Sequence, residues 1–188
     1  MTRSEPEHID WGDLPLETAV FQWNARRRWS DGEARGFTPW VRDHLDEIGA
    51  LLGLNLRFVA FEARVGSFRA DILARDETGR TVMIENQFGP TDHEHLGKVV
   101  AYAAHADAEI VVWIAAGGSA LNLDPVRPEH RATLRYLNEA LARRTGLCAI
   151  AVVLESDPGE YEVRPRMQLA VRPDEYPPSR HDAEPSDG

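Results

Sequence analysis

The chain has 188 residues, of which 43% are apolar, and a formal net charge of −10, which fits one globular domain with a single core. The acidic balance argues against a broad surface for polyanions but leaves room for a local one. No apolar run reaches the roughly 20 residues of a membrane span, and the first residues lack the apolar stretch of a signal peptide. The single cysteine, Cys148, lies in an apolar run and is predicted to be a core residue. We therefore expect a cytoplasmic protein without membrane association.

The first part of the chain is predicted to be helical. Residues 1–32 form an N-terminal extension with a short helix over 15–29. Thr38-Pro39 predicts the start of a second helix, with Thr38 as N-cap and Pro39 in the first turn, and Gly53 predicts its end. The main domain is expected over residues 33–172, and a disordered acidic tail over 173–188.

Strands are predicted for the middle of the chain. Three of them, over 56–63, 69–75 and 81–88, follow one another through short turns. Thr91-x-x-Glu94 then predicts a capping box for a helix that runs to about residue 104.

The last third of the domain is predicted to alternate between strands and a helix. Apolar runs over 109–115 and 147–154 predict buried strands, separated by a helix over 129–144 and followed by an edge strand over 161–171. The expected fold class is α/β, with a mixed central β-sheet flanked by helices.

Acidic residues fall inside two of the predicted strands. Asp71 and Glu85 stand among apolar residues, where an isolated buried carboxylate is unfavourable and a metal ion relieves the unfavourable charge. A turn near Gly66-Ser67 would place Glu62 directly across from Asp71, and two carboxylates at that separation favour a shared proton or a divalent cation. Hard oxygen ligands favour Mg²⁺ or Mn²⁺ over Zn²⁺. Alternatively, these acids form surface salt bridges with Arg64, Arg69 and Arg75.

Two segments carry a resemblance to a known superfamily. Ala70-Asp-Ile-Leu73 followed by Ile84-Glu-Asn-Gln87 resembles motifs II and III of the PD-(D/E)xK nucleases, here as D-x13-E-x-Q. Together with Phe37-Thr-Pro-Trp40 and Thr91-Asp-His-Glu-His-Leu-Gly-Lys98, these segments resemble an uncharacterised bacterial branch of nuclease-like proteins. The resemblance covers about residues 33–172. It implies a restriction-endonuclease-like core and a Mg²⁺-dependent phosphodiesterase, an endonuclease or exonuclease, that acts on DNA.

The resemblance also implies which residues hold the metal. Asp71 and Glu85 would bind Mg²⁺ or Mn²⁺ with help from the backbone carbonyl of Asn86. The acid of motif I lies near the first core helix in such proteins. Glu33 is the better candidate for it, because Glu47 is expected to face solvent.

The superfamily usually has a lysine where Gln87 stands, to orient the attacking water. Glutamine is not a general base, so activation of the water would rest on the metal. Lys98, the only lysine of the chain, is the natural substitute. His95, Lys98 and Tyr102 share one face of the predicted helix, which could turn towards Glu85 and offer an ammonium to the scissile phosphate. The alternative is an exposed lysine on an amphipathic helix.

Two leading functions remain open at this point, beside a less favoured third one, a metal-dependent enzyme with a non-nucleic substrate. The leading hypothesis is the DNA phosphodiesterase, for which a homodimer would let a single small domain cut both strands. The second is a catalytically inactive module of the same fold that works with a protein partner, which the acidic balance and Gln87 also fit. A zinc site at His93 and His95 is not favoured, since residues two apart lie on different faces of a helix. His93 is instead expected to pack or hydrogen-bond near the helix start.

Overall fold

The computed structural model describes residues 28–65, 68–105, 108–117, 124–141, 144–155 and 164–179. The predicted helix over 15–29 lies outside these ranges except for its last two residues. The elements in chain order are a π-helical turn Glu33–Phe37, α1 Thr38–Asp43, α2 Leu45–Leu52, β1 Arg57–Val65, β2 Phe68–Arg75, β3 Thr81–Phe88, α3 His93–His105, β4 Ile110–Gly117, α4 Pro128–Ala140, β5 Gly146–Glu155 and β6 Arg164–Val171.

The six strands form one mixed sheet in the order β1-β2-β3-β4-β5-β6. Short connections join β1, β2 and β3, which pair antiparallel. The helices α3 and α4 connect β3, β4 and β5, which pair parallel, because parallel neighbours need a crossover. The edge strand β6 returns antiparallel to β5. The predicted α/β class, a mixed sheet flanked by helices, is confirmed.

Each face of the sheet packs against its own set of helices. The π-helical turn, α1 and α2 cover one face, together with Trp29, whose side chain is also buried in this cluster. The other face packs against α3 and α4 through Val99, Tyr102 and Leu134. The central strand β4 is buried along its whole length, as its apolar run predicts. The predicted core position of Cys148 is confirmed, and Trp40 and Trp113 are buried as well.

The N-cap role predicted for both threonines is wrong. Phe37, before Thr38, already has helical dihedrals, and the Thr38 hydroxyl accepts a hydrogen bond from Asn86 Nδ2 at 3.2 Å. At α3, Asp92 Oδ1 accepts the backbone N–H of His95 at 2.8 Å, so Asp92 caps this helix. Thr91 Oγ1 instead accepts from the backbone N–H of Arg127. The predicted end of α2 is confirmed, because Gly53 has a left-handed conformation with φ 75°.

The packed part of the chain extends beyond the expected domain limits. Trp29 lies in the core before residue 33. After residue 172, Tyr176 packs on the same core and its hydroxyl donates to Leu52 O at 3.0 Å, while Arg80 donates to Pro177 O. The start of the predicted disordered tail, up to Ser179, is therefore part of the domain. Within the described ranges, no helix is long and apolar enough to cross a membrane.

Candidate functional site

The candidate site lies where β2 and β3 separate. The ladder between these strands runs from Arg75↔Thr81 to Ile72↔Ile84 and stops there, although β2 continues to pair with β1 beyond that point. Asp71, the next residue along β2, accepts the backbone N–H of Asn86 through Oδ2 at 2.7 Å. A side-chain carboxylate thus takes the place of a backbone acceptor, and it does so at the fork between the two strands.

Glu85 lies buried at the same fork, with only 2% of its surface exposed. Lys98 donates from Nζ to Glu85 Oε1 at 2.8 Å. The Tyr102 hydroxyl lies 2.8 Å from Glu85 Oε2 and 2.8 Å from Arg69 O, and its single hydrogen can serve one of these acceptors at a time. Since Lys98 and Tyr102 are four residues apart on α3, they share a face. That face turns towards Glu85, as the spacing predicts.

Burial and the Glu85 carboxylate together shift the pKa values of Lys98 and Tyr102. Burial lowers the pKa of Lys98, but the hydrogen bond and the charge of Glu85 outweigh it, so that this pKa lies above its usual value. Burial, followed by the hydrogen bond to Glu85, raises the pKa of Tyr102 well above its usual value. At neutral pH the helix therefore presents a charged ammonium and a neutral hydroxyl to the Glu85 carboxylate.

Glu33 approaches the fork from the opposite side. Its Oε2 accepts the backbone N–H of Phe88 at 2.6 Å, and the π-helical turn that carries it covers the other face of the sheet. Glu47, the alternative acid for motif I, is exposed on α2. Of the two acids considered from the sequence, the structure brings Glu33 to the site.

The pKa of Asp71 reflects both its burial and the negative charge around it. Its pKa is raised to about 7, first by burial, then by the charge of Glu85 and to a smaller extent by that of Glu33. The hydrogen bond from Asn86 and the charge of Lys98 act in the opposite direction but do not offset these effects. Three carboxylates thus converge with one ammonium among them. An excess of negative charge in a half-buried place favours a proton or a cation.

The donor set at the fork fits a hard cation, although no complete cage is preformed. Among the described residues, no three His, Cys, Asp or Glu side chains are grouped to hold a metal ion. Asp71 and Glu85 supply carboxylate oxygens, which Mg²⁺ and Mn²⁺ prefer. Asn86, next to Glu85, has a buried side-chain oxygen that no described group satisfies. A cation at Glu85 would have to share this carboxylate with Lys98 or displace it.

Gln87 points away from these carboxylates. Its Oε1 accepts the indole N–H of Trp113 at 3.1 Å. Its Nε2 donates to Pro90 O at 2.9 Å and to Asp92 Oδ2 at 2.6 Å. Both polar atoms of the amide are therefore hydrogen-bonded, Nε2 to residues just before α3 and Oε1 to the neighbouring strand β4. In this arrangement Gln87 orders the backbone around the site.

Glu62 lies level with Asp71 in the β1–β2 register but stays outside the buried group. Its backbone has a positive φ of 53°, and its side chain, 60% exposed, lies 3.5 Å from Arg69 Nη1. The surface ion pair left open from the sequence therefore applies to Glu62. It does not apply to Asp71 or Glu85, which contact Asn86 N and Lys98 instead.

A second polar cluster beside the site was missed from the sequence. Buried His130 lies 2.7 Å from Thr91 Oγ1 through Nδ1 and 2.8 Å from His93 Nδ1 through Nε2. Burial, followed by the charge of His93, lowers the pKa of His130. The hydrogen bond expected for His93 is thus made to a residue of α4. The available signal was the spacing of four between His130 and Leu134, which puts both on the buried face of α4.

Comparisons with known proteins give distant similarities to solved structures. No family model and no curated protein matches the chain. Among solved structures it is similar to Pyrococcus furiosus SfsA in complex with Ca²⁺, with a TM-score of 0.42 and 17% identity over 71% of this chain and 61% of that one. It is also similar to EndoMS in a dsDNA complex, with a TM-score of 0.34 and 12% identity over 61% of this chain and 40% of that one. The chain thus spans less than two thirds of either protein.

Proposed function

We propose that this protein is a Mg²⁺- or Mn²⁺-dependent phosphodiesterase that acts on DNA. The supporting observation is the fork, where burial and then the charge of the neighbouring Glu85 raise the pKa of Asp71 to about 7. Lys98 contacts Glu85 at 2.8 Å. Two carboxylates with an excess of negative charge and one adjacent ammonium are the groups that metal-assisted hydrolysis of a phosphodiester needs.

Each residue of the fork has a distinct part in this proposal. A bound divalent cation supplies Lewis acidity and lowers the pKa of its water. Asp71 and Glu85, with the backbone carbonyl of Asn86, would hold the cation. Tyr102 keeps Glu85 oriented through its hydroxyl. Lys98 can exchange its hydrogen bond to Glu85 for one to a phosphate oxygen and offset the charge that develops there.

Gln87 and Glu33 act on the arrangement of the site in this proposal. Gln87 cannot take the water-orienting part of the usual lysine while its amide holds Trp113, Pro90 and Asp92. Glu33 fixes the end of β3 through Phe88 N and adds to the negative charge around Asp71. Lys98 is then the residue that supplies the ammonium.

The second candidate is a catalytically inactive module that binds a protein partner. The observation that favours it is that other groups of the protein already neutralise or hydrogen-bond the carboxylates at the fork. Lys98 neutralises Glu85, Asn86 N satisfies one oxygen of Asp71, and a protonated Asp71 would remove the remaining repulsion. In that case the carboxylates contribute to the structure of the domain and have no catalytic role.

Cleavage assays separate the two candidates. Plasmid DNA and single-stranded and duplex oligonucleotides are incubated with Mg²⁺ or Mn²⁺ and wild type, Asp71→Asn/Glu85→Gln, or Glu47→Gln as the control for an exposed acid. We expect wild type and the control to cleave DNA, and the double variant to lose at least about 100-fold in rate. Equal cleavage by the double variant contradicts the site assignment. No metal-dependent cleavage by wild type favours the inactive module.

A further inference from the structure

An aspartate and a histidine form a hydrogen-bonded pair at the start of α3. His95 Nδ1 lies 2.9 Å from Asp92 Oδ1 and 3.1 Å from Asp92 Oδ2. Capping of the helix explains the bond from the backbone N–H of His95 to Asp92 Oδ1. It does not require the contact between the ring and the carboxylate, which is made in addition to the cap.

The chemistry of this pair fixes which nitrogen of His95 carries the proton. Burial raises the pKa of Asp92, but the hydrogen bonds from the backbone and the ring of His95 outweigh it, so that this pKa lies below its usual value. At neutral pH Asp92 is therefore a carboxylate, which only accepts hydrogen bonds. Nδ1 of His95 must then carry the proton, and in the neutral ring Nε2 keeps its lone pair.

The second ring nitrogen of His95 is available for a substrate or a water molecule. Among the residues that the structure describes, none forms a hydrogen bond with His95 Nε2. The side chain is 19% exposed, so water can reach the ring while Asp92 holds it at Nδ1. An imidazole that a carboxylate orients through one nitrogen, and whose other nitrogen is unpaired, has the arrangement of a general base.

Two connections place this pair beside the fork. On α3, His95 precedes Lys98 by three residues, so their Cβ atoms are roughly 5–6 Å apart on the helix surface, and Lys98 Nζ contacts Glu85. On the side of the sheet, Asp92 Oδ2 accepts from Gln87 Nε2 at 2.6 Å, and Gln87 is two residues, roughly 7 Å, from Glu85 along β3. The pair thus borders the fork one helical turn before the ammonium.

Gln87 supports the pair from the sheet. Its amide donates to Asp92 through Nε2 and accepts the indole N–H of Trp113 through Oε1. A lysine at this position would offer the indole no acceptor, so the amide fits both partners. Gln87 therefore helps to hold the carboxylate that orients His95.

We propose that His95 is the general base of the phosphodiester hydrolysis and that Asp92 is its positioning residue. This inference rests on the proposed function and names the group that takes the proton of the attacking water. As the water oxygen forms its bond to phosphorus, His95 Nε2 takes one proton of that water, and the bond from phosphorus to the leaving oxygen breaks. The leaving oxygen takes a proton from solvent, and the imidazolium, stabilised by Asp92, returns its proton to solvent.

Kinetic measurements on two variants of His95 test the proposal. His95→Asn removes Nε2 but keeps an amide N–H for Asp92, and His95→Ala leaves space for a free imidazole. His105→Asn is the matched control, since His105 is the exposed last residue of the same helix. Cleavage of a DNA oligonucleotide is measured at saturating Mg²⁺ with and without added imidazole, and Mg²⁺ binding is measured by calorimetry.

We expect kcat of His95→Asn to fall by roughly 100-fold or more, with KM and Mg²⁺ affinity unchanged, because the base acts only in the chemical step. Added imidazole should increase the rate of His95→Ala and leave the rates of wild type and the control unchanged. A purely structural role of His95 would not give this rescue, since free imidazole replaces a proton acceptor and not a helix contact.

The tautomer of His95 provides a measurement that does not depend on cleavage. A long-range ¹H–¹⁵N NMR spectrum of wild type in EDTA at mildly alkaline pH should show His95 with a protonated Nδ1 and an unprotonated Nε2. The spectra of His95→Asn identify the signals of this ring by their absence.

Three results would overturn the inference: cleavage by His95→Asn at the wild-type rate, a rate of His95→Ala that imidazole does not change, or a proton on Nε2 in place of Nδ1. The proposed function is decided separately by Asp71→Asn/Glu85→Gln. If this double variant loses cleavage while His95→Asn keeps it, the phosphodiesterase stands without His95 as its base. If wild type cleaves no DNA with either metal, the proposed function fails, and the base role of His95 fails with it.

Discussion

The carboxylate of Asp71 accepts a backbone hydrogen bond, which favours its charged form, and yet its pKa is raised to about 7 from an ordinary 3.8. Burial and the neighbouring acids therefore outweigh the hydrogen bond. The folded state holds this proton more tightly than the unfolded state does. The stabilisation from the proton is complete below about pH 4 and is lost as the pH rises through 7. At neutral pH the metal-free protein carries a carboxylate that folding disfavours.

A single substitution tests this description of Asp71. Asp71→Asn keeps an acceptor for Asn86 N and removes the titrating group. We expect its free energy of unfolding to rise relative to wild type between about pH 5 and pH 8, by on the order of 2 kcal/mol. Urea denaturation in EDTA at the two pH values measures the difference, with Glu47→Gln as the exposed control. A difference that is independent of pH, or of opposite sign, contradicts the raised pKa.

The hydrogen-bond partners of two side chains, Gln87 and Thr38, could not be predicted from the sequence. Alternation along β3 places Glu85 and Gln87 on one face, and both are there. Alternation does not say in which direction along the face a side chain points, and Gln87 turns to Trp113 and Asp92 because these groups satisfy its amide. Thr38 was expected as an N-cap on local pattern alone, but Asn86 from a distant strand engages its hydroxyl.

At the scale of elements, α3 brings the positive charge to the site. Lys98 and Tyr102 reach Glu85 from adjacent turns, and the spacing of apolar and polar residues was sufficient to predict that face. The capping-box pattern did not predict the N-cap of α3 correctly. The Thr91 hydroxyl accepts the backbone N–H of Arg127, just before α4, and Asp92 caps α3 instead. Local signals therefore located the helix and its face, while tertiary partners decided its first turn.

Removal of the ammonium from α3 gives an element-scale prediction. Lys98→Gln leaves Glu85, 2% exposed, without its ion pair, and an uncompensated buried carboxylate destabilises a protein by roughly 3 kcal/mol. We expect a lower melting temperature in EDTA and a larger increase on addition of Mg²⁺ than in wild type, because the cation no longer competes with Lys98. Cleavage should be lost.

Differential scanning fluorimetry with and without Mg²⁺ measures both effects of Lys98→Gln. Arg135→Gln, an exposed cation on α4, serves as the matched control. If Mg²⁺ stabilises Lys98→Gln no more than wild type, then Glu85 does not take part in binding the cation.

At the scale of the whole molecule, the order of predicted elements was enough for the mixed sheet. Short turns between the first three strands and helices between the next three leave one simple arrangement of antiparallel and parallel pairs. The order of elements does not predict the fork. The fork arises because the pairing of β2 with β3 stops at Ile72↔Ile84 although both strands continue. The packing of Trp29 and Tyr176 on the core was also missed, since Trp29 follows three arginines and precedes a polar turn, and Tyr176 stands in an acidic, proline-rich stretch.

The central claim is that the fork binds a divalent cation, and titration calorimetry with Mg²⁺ and Mn²⁺ at about pH 8 tests it most directly. Wild type and Glu47→Gln should bind the cation, and Asp71→Asn/Glu85→Gln should not. The affinity of wild type should fall as the pH is lowered through 7, because the proton on Asp71 competes with the metal. Absence of binding by wild type in the millimolar range, or equal binding by the double variant, would contradict the claim.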